Sequence, residues 1–268
     1  MGNILCSDDG SSNQDQSLSS LFSCDCQRKE SASKCKNDKP KPELPQFLSA
    51  VADGNIEYMK LQIIFDPKLP STERDFRGNT SSHIAAGKGR IKELEFLLNH
   101  DPTLQDARND VHNSPAHSAA EKGHVPILQY LHQLSAALLI CKGAMDATPG
   151  HLAAANGQLE AIQFLAEAHP SALTARDRRG NTPVHYAATH GHVHVLRWAC
   201  AARTLATREQ NNYGDTPAHL AASNGQLEAL RLLVELDPGL VSVGNAAGKR
   251  PVDLANAHAE CREFLLGK

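Results

Sequence analysis

The segment Thr216-Pro-Ala-His219 belongs to a series of six related tetrapeptides that follow one another at a constant interval of 34 residues. The other members are Thr80-Ser-Ser-His83, Ser114-Pro-Ala-His117, Thr148-Pro-Gly-His151, Thr182-Pro-Val-His185 and the divergent Arg250-Pro-Val-Asp253. A period of 20–50 residues is typical of a stacked repeat protein rather than of a single globular core. Such proteins present a long one-sided surface that usually holds partners. The period therefore favours a binding protein.

The residues that follow each tetrapeptide predict a short helix with defined ends. In the fourth repeat, Thr182 is suited to cap the helix, and Pro183 to occupy the first helical position, where a missing N–H costs nothing. Ala187 and Ala188 are small enough to let neighbouring helices approach. Gly191 tolerates the left-handed conformation that often ends a helix. The same elements recur in the other regular repeats.

A second helix, a turn and a loop complete each predicted repeat. Leu94, Leu97 and Leu98 are spaced as on one face of a helix. A proline-containing turn follows, as at Asp101-Pro102, and a loop such as Asp75-Phe-Arg-Gly-Asn79 leads into the next unit. The fold class expected is an all-α repeat solenoid.

These Thr-Pro-x-His, Ala-Ala and Gly-His/Gln-(Leu/Val) elements resemble the ankyrin repeat, and the resemblance covers residues 46–268. It implies stacked pairs of antiparallel helices, one hairpin-like loop per repeat and a concave face of loops and inner helices. It also implies a protein-binding module. We expect a divergent first repeat, five clear repeats and a C-terminal capping unit.

Three parts of the array depart from the pattern. Residues 47–79 place Leu48 where the motif histidine would fall, and residues 250–268 carry Asp253 at that position. Both terminal units fit caps that exchange a buried seam for a solvated face. The third repeat reads Lys142-Gly-Ala-Met-Asp-Ala147 and lacks the regular loop, so we expect a local distortion or an apolar contact there.

Residues 1–45 form a separate segment, predicted to be a disordered tail with a proline-rich spacer. They are rich in Ser, Cys, Lys and other polar residues, a composition that cannot bury enough apolar surface to fold. Gly2 after the initiator Met indicates N-myristoylation, and Cys6 offers a second, palmitoylated site. One myristoyl chain gives only marginal membrane binding, so durable anchoring needs this second signal. The alternative is an incidental Met-Gly start.

Two further motifs in the tail are weaker. The segment Lys39–Pro45 has the form of an SH3-domain ligand, with a passive spacer as the alternative. Cys24, Cys26 and Cys35 could supply three zinc ligands, but structural zinc normally takes four at tighter paired spacing. Acylation or free thiols explain these cysteines better, and no metal is expected.

Two clusters of charged and titratable residues lie within the repeats. Arg74, Arg108, Lys142 and Arg176 share one repeat phase and predict a basic column suited to an acidic partner or an anionic leaflet, with a solvated face as the alternative. The second cluster consists of His185, His190, His192 and His194. His185 is the motif histidine, expected to bond to Thr182. Solvated helix surface is the simplest reading of the others, against a metal or pH-sensing role.

Composition excludes several function classes. A net charge of −3 is unlike that of nucleic-acid-binding domains, which are strongly basic. The longest apolar run, Leu134–Cys141, is too short to span a membrane. No phosphate-binding glycine loop, nucleophile elbow or paired carboxylates occur, so we expect neither an enzyme nor a cofactor. The seven cysteines form an odd set without a secretory signal, which favours a reducing, cytosolic setting.

The function predicted from the sequence is a monomeric, membrane-tethered adaptor on a cytoplasmic membrane face, which holds an unidentified protein partner. The alternatives are a soluble cytoplasmic regulator, which inhibits or recruits an enzyme or transcription factor, and a cytoskeletal linker. Candidate contacts at the loop tips are Phe76, Arg77, Met145, Arg178, Arg179, Asn212 and Tyr213. Candidates on the inner helices are Lys88, Glu121, Lys122, Asn156, His190 and Asn224.

Overall fold

The computed structural model describes residues 44–202 and 204–267. The expectations of a disordered tail, of lipids on Gly2 and Cys6 and of zinc at the tail cysteines depend on residues 1–43, which lie outside the described part of the chain. Of the predicted SH3 ligand, Lys39–Pro45, only Leu44 and Pro45 are described.

All regular elements of the described residues are helices. In chain order the α-helices are α1 (Gln46–Asp53), α2 (Ile56–Phe65), α3 (Leu69–Thr72), α4 (Ser81–Gly87), α5 (Ile91–His100), α6 (Pro115–Lys122), α7 (Val125–Leu134), α8 (Pro149–Ala155), α9 (Leu159–Ala168), α10 (Pro183–His190), α11 (Val193–Ala202), α12 (Pro217–Ser223), α13 (Leu227–Leu236), α14 (Pro251–Leu254) and α15 (Ala259–Leu266). The 3₁₀ helices are η1 (Pro102–Asp106), η2 (Ala136–Leu139), η3 (Ala144–Asp146), η4 (Pro170–Leu173), η5 (Thr204–Arg208), η6 (Pro238–Ser242) and η7 (Ala255–Ala257).

Each repeat pairs two α-helices, and the first helices of successive repeats stack directly, as α4 on α6, α6 on α8 and α8 on α10. Their paired alanines, such as Ala187 and Ala188, are fully buried, which is why small residues are needed there. The second helices contribute the large core side chains, among them Leu94 and Leu97. The predicted all-α solenoid is confirmed.

The five motif histidines link each helix start to the next repeat. In α10, the backbone N–H of Thr182 donates to Nδ1 of His185 at 3.2 Å, and the Thr182 hydroxyl lies 2.9 Å from the same nitrogen. Because Nδ1 accepts the backbone proton, the ring proton must sit on Nε2, which donates to the carbonyl of Asp215 at 3.1 Å. The other four histidines repeat this at 2.8–3.0 Å: His83 to Asn113, His117 to Ala147, His151 to Asn181 and His219 to Lys249.

The C-terminal unit departs from the motif at its helix start. Asp253 replaces the histidine, and its carboxylate accepts the Arg250 N–H at 2.9 Å. A carboxylate can satisfy the helix start, but unlike the motif histidines it has no N–H to donate to a further carbonyl. The outer helix α15 exposes Glu260, Arg262 and Glu263, which gives it a solvated face.

The N-terminal unit has an apolar outer helix. Leu48 does occupy the histidine position, three residues after the helix-capping Pro45, and it is buried. The outer helix α2, however, exposes Leu61, Ile64 and Phe65. The outer face of the first unit is therefore exposed to solvent but apolar.

The third repeat is distorted where the sequence predicted. Met145 has a positive φ of 54°, whereas the positive φ of Asp146, 63°, matches that of Gly78 and Gly180 at the same position of other loops. Gly143 replaces the Asp or Asn that organises the other loops, so no side chain of its own can accept the loop N–H groups. The Asn113 side chain of the preceding loop accepts the N–H of Ala144 instead, at 3.0 Å.

Candidate partner-binding surface

In each regular loop, an Asp or Asn side chain near the start accepts hydrogen bonds from backbone N–H groups of the same loop. In the first loop, Oδ1 of Asp75 accepts the N–H groups of Arg77 and Asn79 at 2.8 and 2.9 Å. Gly78 has a φ of 70°, and a Cβ there would lie 2.1 Å from Oδ1 of Asp110 in the next loop. The tight turn and the close approach of the neighbouring loop both require glycine.

Neighbouring loops are bonded to one another along much of the array. Backbone N–H groups donate to the preceding loop from Asp110 to Arg77, Arg178 to Met145, Asn212 to Arg179 and Ala246 to Tyr213, at 2.8–3.2 Å. Side-chain amides add bonds from Asn109 to Asn79, Asn211 to Asn181 and Asn245 to Asp215. Between the second and third loops, the hydrogen bond from the Ala144 N–H to the Asn113 side chain replaces these bonds. The loop tips therefore form an ordered row.

The predicted basic column has a structural role. Nη1 of Arg74 donates to the carbonyls of Gly78 in its own loop and Arg108 in the next, at 2.7 and 2.9 Å. Arg108 bonds His112 and Lys142 in the same way, and Arg176 bonds Gly180 and Gln210. These guanidinium groups connect consecutive loops, in each case through a single Nη1 that donates to both carbonyls. The fourth member, Lys142, instead lies 3.7 Å from Asp146.

The loop-tip candidates differ in accessibility. Phe76 is 64% exposed, and the Arg77 guanidinium lies over its ring at 5.3 Å. Arg178, Asn212 and Tyr213 are exposed, whereas Met145 and Arg179 are half-buried. Nη2 of Arg178 lies 3.6 Å from the Asp146 carboxylate. Nδ2 of Asn212 donates a hydrogen bond to the backbone carbonyl of Arg178. An aromatic side chain thus stands towards each end of the row, with arginines between.

The inner-helix candidates lie at or next to the C-terminal ends of the first helices. Lys88, Lys122, His190 and Asn224 are exposed, while Glu121 and Asn156 are half-buried. Glu121 and Lys122 form an ion pair at 3.0 Å. Asn156 and Asn224 each donate to a carbonyl one turn back, at Leu152 and Leu220. All of these residues except Glu121 share one repeat phase.

Charge is distributed unevenly between the two sides of the repeats. The six loops, residues 74–79, 108–113, 142–147, 176–181, 210–215 and 244–249, carry eight basic and five acidic side chains. The second helices α2, α5, α7, α9, α11, α13 and α15 carry five basic and nine acidic ones. The loop side therefore attracts anionic groups more strongly than the outer helices do.

A buried polar cluster beneath the fourth loop was missed from the sequence. The Tyr186 hydroxyl donates to Oδ2 of Asp177 at 2.9 Å, and the Tyr186 ring packs edge-on against His151 at 5.2 Å. Burial, together with the adjacent carboxylate, raises the pKa of Tyr186 well above its usual range, so it stays a donor. This bond ties α10 to the loop that carries Arg178 and Arg179.

Two members of the histidine cluster bond to backbone carbonyls of the preceding repeat. Nε2 of His192 and of His194 donate to the carbonyls of Ala155 and Gly157, both at 2.7 Å.

Residues 44–202 and 204–267 contain no group of three or more His, Cys, Asp or Glu side chains placed to hold a metal ion. Over the same residues, no helix is long and apolar enough to cross a bilayer. Cys141, Cys200 and Cys261 are free thiols.

Comparison with known proteins decides the family. The family model "Ankyrin repeats (3 copies)" matches residues 47–140, 132–203 and 150–243. The chain belongs to the ankyrin-repeat family. A solved structure that matches, the human ASB11 ankyrin repeat domain, superposes with a TM-score of 0.68 at 21% identity, covering 83% of this chain and 96% of that one. No curated protein matches the chain. The ankyrin-repeat fold is a scaffold for protein–protein interaction and is not typically enzymatic.

Proposed function

We propose that this ankyrin-repeat chain is a membrane-tethered adaptor that holds a protein partner on its loop tips and inner helices. The observation that carries the proposal is the ordered row of loops, which presents Phe76, Tyr213 and the arginines between them on a rigid frame. Preorganised side chains lose little conformational freedom on binding, which favours recognition. The tether rests on Gly2 and Cys6 in the sequence.

The charge of the loop side indicates the chemistry of the partner. A net basic row with exposed aromatic rings suits an acidic segment that also carries apolar anchors. The Arg74, Arg108 and Arg176 side chains already bond loop carbonyls, so we assign recognition to Arg77, Arg178 and Arg179. Tethering would raise the effective concentration of the adaptor at the membrane, so a modest affinity would suffice.

The tether is tested by fractionating cells that express the wild type, Gly2→Ala or Cys6→Ser, with a clickable myristate analogue in the medium. We expect label and membrane association in the wild type, with both lost in Gly2→Ala. Cys6→Ser should keep the label and lose stable membrane association. An unlabelled wild type in the cytosol would replace the tether with the soluble regulator, and cosedimentation with filaments would favour the cytoskeletal linker.

The binding face is tested with a matched pair of charge reversals. Arg178→Glu changes an exposed loop-tip arginine, and Arg197→Glu changes an exposed arginine on the outer helix α11. Proteins captured by the wild type should be lost with Arg178→Glu and retained with Arg197→Glu, because only the first alters the loop row. Equal loss with both, or loss with Arg197→Glu alone, would place the binding face elsewhere.

A further inference from the structure

Helix α2 at the N-terminal end of the array has apolar side chains on both of its faces. Met59 and Ile63 are buried against the repeat, while Leu61, Ile64 and Phe65 on the other side are 56%, 73% and 83% exposed. The outer face of a terminal repeat is normally polar. Helix α15 at the opposite end exposes three charged residues and a single large apolar one, Leu266.

The exposed side chains form one patch. Leu61, Ile64 and Phe65 have the i, i+3 and i+4 spacing that places residues side by side on a helix. Single exposed apolar residues are normal on a protein surface, but a cluster of large ones marks an interaction site. The patch lies in the same unit as α1, whose Gln46 side chain accepts a hydrogen bond from the Tyr58 hydroxyl of α2 at 3.2 Å.

We propose that this patch is a homodimer interface, in which α2 of one copy packs antiparallel against α2 of a second copy. In that arrangement Leu61 faces Phe65 of the second copy, and Ile64 lies near the two-fold axis. A two-fold contact uses the same patch on both copies, so one helix supplies both sides of the interface. This assembly differs from the monomer expected from the sequence.

The charges at the two ends of the patch select the antiparallel orientation. Glu57 and Lys60 lie at the N-terminal end of α2, and Asp66 and Lys68 follow its C-terminal end, all four exposed. Antiparallel packing brings Glu57 close to Lys68 of the second copy, and Lys60 close to its Asp66. Parallel packing would instead place each of these residues against the same residue of the second copy, so that like charges would meet. The existing Glu57–Lys60 ion pair is exposed and can rearrange at little cost.

The size of the patch predicts a weak dimer. Three large apolar side chains per copy, with a charged rim, correspond to an interface near the lower limit of about 1,000 Å² in total. Exposed ion pairs add little affinity. The apolar contacts therefore supply the affinity, the charges set the orientation, and the dimer forms in a concentration-dependent way.

Sedimentation velocity of the full-length, non-lipidated chain under reducing conditions tests the proposal, over about 1 μM to about 1 mM. We expect the wild type to shift from monomer to dimer within this range. Phe65→Glu should raise the dissociation constant at least about tenfold, because it places a carboxylate in the apolar contact. Phe76→Glu is the matched control, since Phe76 is also exposed but lies on a loop tip. Far-UV circular dichroism confirms that each variant is folded.

A charge exchange tests the orientation separately. Glu57→Lys should weaken the dimer, and adding Lys68→Glu should restore it, because the reversed pair meets only in the antiparallel arrangement. A wild type that stays monomeric to about 1 mM would overturn the proposal. Dissociation by Phe76→Glu equal to that by Phe65→Glu would also overturn it. So would a monomeric wild type that binds phosphatidylcholine vesicles through Phe65, which would make the patch a lipid contact.

Discussion

His112 adopts a left-handed conformation at a loop position where four other repeats have glycine. Its φ is 63°, and the equivalent Gly78, Gly180, Gly214 and Gly248 have φ between 70° and 77°. A side chain with a Cβ is strained in this region, and only glycine adopts it freely. The loop geometry is imposed by its bonds to the neighbouring loops, so the strain at His112 is a cost that the array overcomes.

Replacing His112 should therefore relieve strain. We expect His112→Gly to stabilise the protein by about 0.5–1 kcal/mol. This is the free energy of the relieved strain minus the cost of ordering glycine, which has more conformational freedom in the unfolded chain. Urea denaturation measures the difference. The control is Gly180→Ala, which should destabilise by more than about 1 kcal/mol, because its Cβ would lie 2.3 Å from Oδ1 of Asn212. A destabilised His112→Gly would contradict the argument.

At the scale of the loop elements, the arginine staples explain why the third loop differs. Arg74, Arg108 and Arg176 each connect their own loop to the next one through two carbonyl groups. Lys142 holds the same phase, but its Nζ lies 3.7 Å from the Asp146 carboxylate instead. The third loop also has Gly143 in place of Asp or Asn, and Met145 has a positive φ that the equivalent residues of the other loops do not share.

A single substitution should supply the missing staple. Lys142→Arg would place a guanidinium within reach of the carbonyls of Asp146 and Arg176, and we expect a gain of about 0.5–1.5 kcal/mol. The reciprocal control, Arg176→Lys, should lose a similar amount. Chemical denaturation of both variants measures these changes. No gain for Lys142→Arg beside a clear loss for Arg176→Lys would show that the third loop cannot adopt the stapled geometry.

At the scale of the whole molecule, the buried histidines make stability depend on pH. Burial lowers the pKa of His83 and His185 to about 4 and that of His117 to about 3. It also lowers the pKa of His151 and His219. Since these rings are neutral in the folded state and have an ordinary pKa of about 6.5 when unfolded, acid favours the unfolded chain. Their contribution is complete above pH of about 6.5 and is lost as the pH falls towards 4.

Urea denaturation at several pH values tests this dependence. At pH 5.5 we expect each of His83, His117 and His185 to lower the free energy of unfolding by about 1.4 kcal/mol relative to pH 7.5. The three together should lower it by about 4 kcal/mol. Between pH 7.5 and 8.5 the free energy of unfolding should stay level, because the rings are neutral throughout. A denaturation midpoint that does not move between pH 7.5 and 5.5 would show that the histidines are not buried in their neutral form.

The sequence by itself determined the repeat, its helix boundaries and the family. Thr182, Pro183 and Gly191 act through backbone groups within a few residues, so their chemistry can be read locally. The loop position of Phe76, Arg178 and Tyr213 follows from the same period. The distortion of the third repeat was also predicted from its missing Asp.

Only the tertiary structure decided what these residues contact across repeats. The Nε2 proton of His185 and the Arg74 guanidinium bind carbonyls 30 and 34 residues away, so the sequence around them does not reveal their partners. The partial burial of Met145 and Arg179 depends in the same way on the neighbouring loops. Leu61, Ile64 and Phe65 would be core residues if another repeat preceded them. Their exposure arises because the described array has no repeat packed on that side, and burial depends on which neighbours are present.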